Sequence, residues 1–278
     1  MSEEILRKFN LSEEEYLALD EVEFRARFRE RIHHTLEIQT YSAAHGEEKL
    51  KENQSDTAKK FLDLWEKRNI SKELPEYIYA QKLIGLSEVL LKGESLDLSE
   101  FESYKLSDKE QEAFFKVIKE RRSVRHFKED RVPEKLIEKI LESGLWAAHS
   151  CNLQSIKYLI VREETTPKLF RGSDVPGGPV HLVLLQDERV YRANPLNPVR
   201  NRLIDMGAAA QNIVLATHAL GLSGVWLTFN ETMIERISKH FNLPEYIKLV
   251  TYVDIGYPDQ TPYAPQRKTL NEAIIANV

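Results

Sequence analysis

Ten of the eleven prolines and eight of the eleven glycines in this 278-residue chain lie after residue 100. Gly and Pro punctuate a chain into turns and strand ends, so their scarcity in the first hundred residues favours long uninterrupted helices there. Charge divides at the same place. Residues 1 to 100 carry 22 acidic and 15 basic side chains, a net of −7, and the remainder carries 22 and 24, a net of +2. Two compositional parts follow: an acidic helical region, residues 1–105, and a second region, residues 106–278, with the turns that a sheet requires.

Apolar residues recur at three- and four-residue spacing through the first part. Ser12 with Glu15 predicts a capping-box start ahead of Tyr16, Leu17, Leu19, Val22 and Phe24. Phe61 to Trp65 mark a second helical stretch, and Tyr77 to Leu90 a third, which follows Pro75 and should end at Gly93. Ser107 with Glu110 caps a helix that joins the two parts and runs into Arg121, Arg122, Ser123, Val124 and Arg125. Beyond it, helix and strand patterns alternate, which predicts an α/β or α+β sheet. Leu136 to Leu145 form one helical face behind Pro133, and residues 203–220 form a long helix with small residues Gly207 to Ala210 at its middle. Tyr158–Val161, Val180–Leu185, Gly224–Thr228 and Leu249–Ile255 read as strands, with Asn230 placed to cap the helix between the last two.

Several function classes drop out. Cys151 is the single cysteine, so no internal disulfide or thiolate zinc site can form, and the eight histidines show no ligand spacing. No metal is expected. No apolar run approaches the roughly 18 residues of a membrane span, and the acidic start lacks the pattern of a secretory signal, which points to a cytoplasmic protein with no membrane partner. A dense Lys/Arg stripe with interleaved aromatics is missing, so nucleic acid is not an expected partner either.

The run from Arg121 to Arg125 concentrates three guanidinium groups and a hydroxyl, donors that suit phosphate oxygens. Basic residues at a helix C-terminus also simply complement the macrodipole as solvated charge. Further features stand in order behind this R-R-S-V-R-x-F run: Val132 with Pro133, an amphipathic helix, Asn152 and Gln154 ahead of an apolar strand, the Gly-Ala-Ala-Ala-Gln-Asn centre of the helix from Asp205, the G-L-S-G-V-W-L stretch from Gly221, and a G-Y-P followed by Arg267 and Lys268. This order resembles the nitroreductase superfamily of FMN enzymes, over about 160 residues from roughly Lys116 onward.

The resemblance implies an α+β nitroreductase-like sandwich, a mainly antiparallel central sheet flanked by helices, with the N-terminal helical region added. It implies a homodimer built on long helices such as 203–220, with FMN at the subunit interface so that both chains complete each site. Arg121, Arg122 and Ser123 would contact the FMN phosphate and ribityl chain, and Arg267 or Lys268 would close on the phosphate. Arg125 would lie near the pyrimidine edge, where fixed positive charge stabilises the reduced ring. His149, Ser150, Asn152 and Gln154 would reach the ring or ribityl groups, and the backbone of Leu227 and Thr228 would approach flavin N5. The implied reaction is ping-pong: NAD(P)H gives hydride to the flavin, and an electron-poor acceptor of nitroaromatic or quinone type takes it up. A specialised flavin dehydrogenase, dehalogenase or biosynthetic oxidase is one alternative, and a non-catalytic flavin-binding or protein-interaction module is another.

The chain departs from the family pattern in one loop. Where the family commonly reads A-P-S-x-x-N-x-Q-P, residues 147–155 read A-A-H-S-C-N-L-Q-S, without either proline. His149 replaces the serine, which makes it a candidate proton donor or a histidine bonded within its loop. Cys151 is a small packed residue or a reactive thiol. Arg200 and Arg202 are surface charge, or they bind an anionic substrate or nicotinamide phosphates. The acidic helices could wrap the sheet domain, cover the flavin pocket or bind another protein.

Overall fold

Ser12 opens helix α1 (Glu13–Ala18) with the capping box its sequence predicts, Ser12 Oγ accepting from the Glu15 N–H and Glu15 accepting from the Ser12 N–H. The computed structural model describes residues 9–47, 49–173 and 177–277. The apolar pattern runs on to Phe24, yet the chain breaks at Leu19, whose backbone is extended. Asp20 restarts it by accepting from the Val22 and Glu23 N–H groups, which begins α2 (Glu21–Ile32). A capping Asp inside an apolar pattern is the local signal for that break. Helix α2 passes through a π-helical turn at His33–Glu37 into α3 (Ile38–Ala44).

α4 (Glu52–Lys67) and α5 (Pro75–Leu91) complete this region. Pro75 occupies the first turn of α5, and Gly93, at φ +80°, follows its C-cap in the left-handed region that ends a helix. Phe24, Phe28, Phe61, Trp65 and Tyr77 meet in a buried core, with the Phe28 and Trp65 rings 4.7 Å apart. Each such side chain contributes about 2–3 kcal/mol on burial. α6 (Asp108–Glu120) carries the Ser107–Glu110 capping box and buries no residue; Phe114 and Phe115 on it are both more than half exposed.

The second part contains α7 (Glu134–Leu145), β1 (Ile156–Arg162), β2 (Val180–Asp187), α8 (Val199–Ala219), β3 (Ser223–Leu227), α9 (Glu231–His240) and β4 (Ile247–Gly256). The four strands form one sheet in the order β1-β2-β4-β3 with every pairing antiparallel. β2 is buried throughout, because both its edges are paired and both its faces are covered. Leu182 and Leu184 pack beneath α7 and α8 with Ile140, Met206 and Ile213, while Val183 and Leu185 face Met233 and Ile237 of α9. This is the expected α+β architecture with an antiparallel sheet between helices. α8 begins at Val199, ahead of its apolar pattern, because Pro198 supplies a pre-set N-cap.

The two parts are fastened along α2. Ala26 and Val22 pack with Leu153, Val190, Tyr191 and Ala193, the last three on the 3-10 turn Glu188–Ala193 that follows β2. Glu23 pairs with Arg192 at 3.1 Å, Asp20 with Arg189 at 3.0 Å, and Arg29 donates to the Leu153 carbonyl at 2.9 Å.

Candidate functional site

Helix α6 stops at Glu120, and Arg121, its C-cap residue, already has extended ψ. The chain then runs beside edge strand β3: Ser123 bridges Gly224 in parallel, and the Val124 N–H donates to Gly224 O at 3.2 Å. Gly224 is fixed from its other side by β4, since a Cβ at residue 224 would lie 2.8 Å from the Asp254 carbonyl oxygen. Next, Gln260 Oε1 accepts from the N–H groups of both Arg125 and His126, and Phe127 bridges Pro258. These bonds return the C-terminal segment to the arginine run and bring Arg267 up to Arg121.

Arg121 is half-buried, and its pKa is lowered first by that burial and then by the charges of Arg267 and Arg122. Among the described residues no carboxylate lies within ion-pairing distance of Arg121, Arg122, Arg267 or Lys268. A partly desolvated cation beside like charges, with no acid to balance it, is unfavourable unless an anion occupies the place. The geometry therefore brings together Arg121, Arg122, Ser123 and Arg267. Arg125 and Lys268 lie exposed nearby in sequence.

At the other end of β3, the Leu227 carbonyl accepts from Thr251 Oγ1 at 2.5 Å, and that hydroxyl in turn accepts from Trp226 Nε1. Thr228 is exposed just beyond. Trp226 lies over α8, where a Cβ at Gly207 would touch its ring at 3.8 Å. The small centre of α8 thus serves packing on both sides, with Ala209 and Ala210 buried against the sheet.

The 149–154 loop has another setting. It precedes β1, at the far edge of the sheet from β3, about 14 Å away by strand spacing. Ser150 donates through both N and Oγ to Asp205 Oδ1, each at 3.0 Å. Asp205 lies on α8 two residues before Gly207, which meets Trp226, so the loop packs on α8 and not on the β3 edge beside the arginine cluster. Cys151, Asn152 and Gln154 all have positive φ, from 49° to 56°, a strained run that turns the Asn152 and Gln154 side chains outward, with Gln154 Nε2 donating to Asn152 Oδ1.

His149 Nδ1 donates to the Ala147 carbonyl at 2.9 Å, while Nε2 is buried without a partner. Burial, aided by Glu30 and Asp205, pushes the Cys151 thiol up, and Asn194 donates to its sulfur. That is the environment of a packed cysteine, not of an activated one. Arg202 pairs with Glu188 at 3.2 Å and covers the Tyr191 ring, and Arg200 is exposed.

Between α2, α5 and this loop lies a cavity of about 710 Å³, with Asn152 and Gln154 on one wall and Arg25, Arg29, Tyr79 and Lys82 on the other. A smaller cavity of about 250 Å³ shares Arg25, Arg29, Glu76 and Gln154 with it and reaches His149. Sequence reasoning missed the helical wall, together with Gln260, Asp205 and Thr251. Asp205 and Thr251 are buried polar residues amid apolar runs, which is a readable signal; Gln260 sits in an irregular segment and gives none.

The nitroreductase family model matches residues 118–171 and 168–257. A "Putative NADH dehydrogenase/NAD(P)H nitroreductase" of Methanothermobacter thermautotrophicus is 30% identical over 152 residues, 52% of this chain and 77% of the relative. The NADPH-flavin oxidoreductase of Vibrio harveyi is 25% identical over 160 residues, 52% of this chain and 66% of the relative. Among solved structures, a "putative nitroreductase in complex with fmn" from Desulfovibrio desulfuricans superposes with a TM-score of 0.51 at 26% identity, covering 59% of this chain and 96% of that one. The two curated relatives leave 48% of this chain unmatched and the solved structure 41%, and the family match begins inside α6.

Proposed function

Because this chain belongs to the nitroreductase family, we propose that it is an FMN-dependent oxidoreductase that takes hydride from NAD(P)H and delivers it to an electron-poor organic acceptor of nitroaromatic or quinone type. The observation that carries the reading is the acid-free cluster of Arg121, Arg122 and Arg267 beside the β3 edge. The half-buried Arg121 guanidinium, repelled by Arg122 and by the exposed Arg267, fits a phosphate dianion, which supplies the countercharge that these arginines lack. Arg121, Arg122 and Ser123 would hold the phosphate and ribityl chain, with Arg267 or Lys268 closing over the phosphate and Arg125 at the pyrimidine edge. The backbone of Leu227 and Thr228, held by Thr251, would face flavin N5.

FMN, when bound, supplies reversible two-electron chemistry at N5. The chain's residues supply position and charge: arginines that fix the anion, a β3 end whose carbonyl is already engaged, and a loop that excludes water. We assign that loop, with His149, Ser150, Asn152 and Gln154, to a second copy of the chain, since one copy separates it from the arginine cluster. Exposed apolar side chains on α8 and after α7 support such a homodimer: Leu203 and Ile204 are 66% and 60% exposed and Trp146 82%. Residues 1–105 act as the cover of the pocket. A pocket emptied by the first reactant before the second enters gives ping-pong kinetics.

An absorbance spectrum tests the reading. Purified protein loaded with FMN should be yellow, bleach anaerobically with NADH or NADPH, and recover colour when a nitroaromatic or quinone is added. Protein that cannot be loaded with FMN would end the proposal. Protein that holds FMN yet is not reduced by either nucleotide would point to the non-catalytic or specialised-donor alternative.

A further inference from the structure

The cavity under the helical region has chemistry of its own. Arg25 Nη2 and Arg29 Nη1 both donate to a single carboxylate oxygen, Glu76 Oε1, at 2.6 and 2.9 Å. Two guanidinium groups on one carboxylate leave a surplus positive charge at this point of the wall, while the other lining carboxylate, Glu37, is engaged with His33 at 3.0 Å. Glu21 offsets little of it, since it stands 3.6 Å from Arg25 with its side chain 58% exposed to screening water. Arg29 is 10% exposed, and its Nε–H is buried with no acceptor. Apolar side chains share the helical wall with these arginines: Phe28 and Ile32 from α2, and Ile78 with the Tyr79 ring from α5. Lys82 also lines the cavity, with its ammonium over the Phe101 ring at 4.7 Å.

Two further observations place this cavity in the working part of the molecule. Its remaining wall is Asn152 and Gln154, and Arg29 bonds the backbone between them at Leu153 O. The π-helical turn His33–Glu37, a local irregularity of α2, turns His33 and Glu37 onto the same cavity. A volume of about 710 Å³ suits a one- or two-ring organic molecule.

We propose that the helical region carries the acceptor-specificity pocket and selects a planar aromatic ring bearing one negative charge, which Arg25 and Arg29 bind while the ring lies between the apolar wall and the 152–154 loop. This rests on the flavin reading of that loop. Residues 1–105 then do more than cover the site: they read the charge of the substrate. The helical wall lies outside residues 118–257, the span matched by the family model, so the preference belongs to the added helices and not to the shared domain.

Calorimetric titration of the full-length, FMN-loaded protein with 4-nitrobenzoate and with its neutral counterpart 4-nitrobenzyl alcohol tests the proposal. The acid should bind about tenfold or more tightly than the alcohol and perturb the flavin absorbance band. Arg25→Gln should remove that preference by weakening the acid alone, and Arg25→Lys should restore most of it; a merely structural role for Arg25 would weaken both ligands together. Equal binding of acid and alcohol by the wild-type protein would overturn the proposal, as would acid binding that leaves the flavin band unmoved. A variant that lost NADPH affinity alone would assign the surplus charge to the donor and overturn it too. Failure to take up FMN is read in the loading step before any acid is added, so it sinks the flavin reading separately.

Discussion

The arginines of α2 and those at the end of α6 are the same side chain in opposite circumstances. On α2, Arg27 lies against Glu23 at 3.0 Å, and Arg25 and Arg29 share Glu76. At the end of α6, Arg121, Arg122 and Arg267 face one another without an acid. In the first place the chain supplies its own anions, and the arginines fasten helix to helix and helix to loop. In the second it supplies none, so that cluster keeps its full positive charge, whereas Arg25 and Arg29 keep only what their shared Glu76 leaves over. Counting arginines in the sequence cannot tell the two apart; counting the carboxylates that fold up beside them does.

Variants can break this comparison. Glu76→Ala strands the buried Arg29 guanidinium and should destabilise the fold by about 3–5 kcal/mol, read as a lowered urea midpoint. Glu76 is itself held below the usual carboxylate range, against the opposing pull of burial, by its bond to Arg25 and by the charges of Arg25 and Arg29. The corresponding change in the other cluster should behave differently. Arg121→Ala removes a repelling, unpaired cation, so FMN-free protein should keep its stability to within about 0.5 kcal/mol. Its affinity for FMN should nonetheless fall by about 2 kcal/mol, roughly 30-fold, in a fluorescence titration. If Arg121→Ala instead unfolded the protein as Glu76→Ala does, both clusters would be structural and the distinction would fail.

Much of the fold was legible. The caps at Ser12, Ser107 and Asn230, the stop at Gly93 and the four strands all rest on local chemistry, and the structure has each of them. The break at Leu19 was obscured because Asp20 caps a helix inside a continuous apolar pattern. Motif order singled out Arg121 to Ser123 and Arg267, and the fold places Arg267 beside Arg121, with Gln260 Oε1 tying the C-terminal segment to Arg125 and His126, a contact no local pattern encodes. The helical wall of the cavity could not be read at all. Arg25, Arg29 and Tyr79 look like ordinary polar positions of amphipathic helices, and only the docking of α2 on Leu153 brings them over the loop.

The smallest expected effect separates the two parts by pH. Each holds a histidine with a raised pKa. In the sheet, burial of His181 opposes its charging, but the bond to Asp254, 2.5 Å from Nδ1, wins with help from Glu163. In the helical part, Glu30 bonds His34 and raises it against a smaller burial penalty. A histidine raised above its unfolded value of 6.5 stabilises the fold fully below that pH, and the contribution is lost as pH climbs through the raised folded value. The urea midpoint should therefore decline from about pH 6.5 upward. His181 is fully buried and stacked on Phe170 at 3.9 Å, whereas the His34 side chain is 40% exposed and screened by water. His181→Gln should accordingly flatten most of that slope and His34→Gln only a small part of it. The reverse result would mean that the helical region, not the sheet, sets the pH limit of the fold, and that its ion pairs are buried more deeply in solution than their exposure suggests.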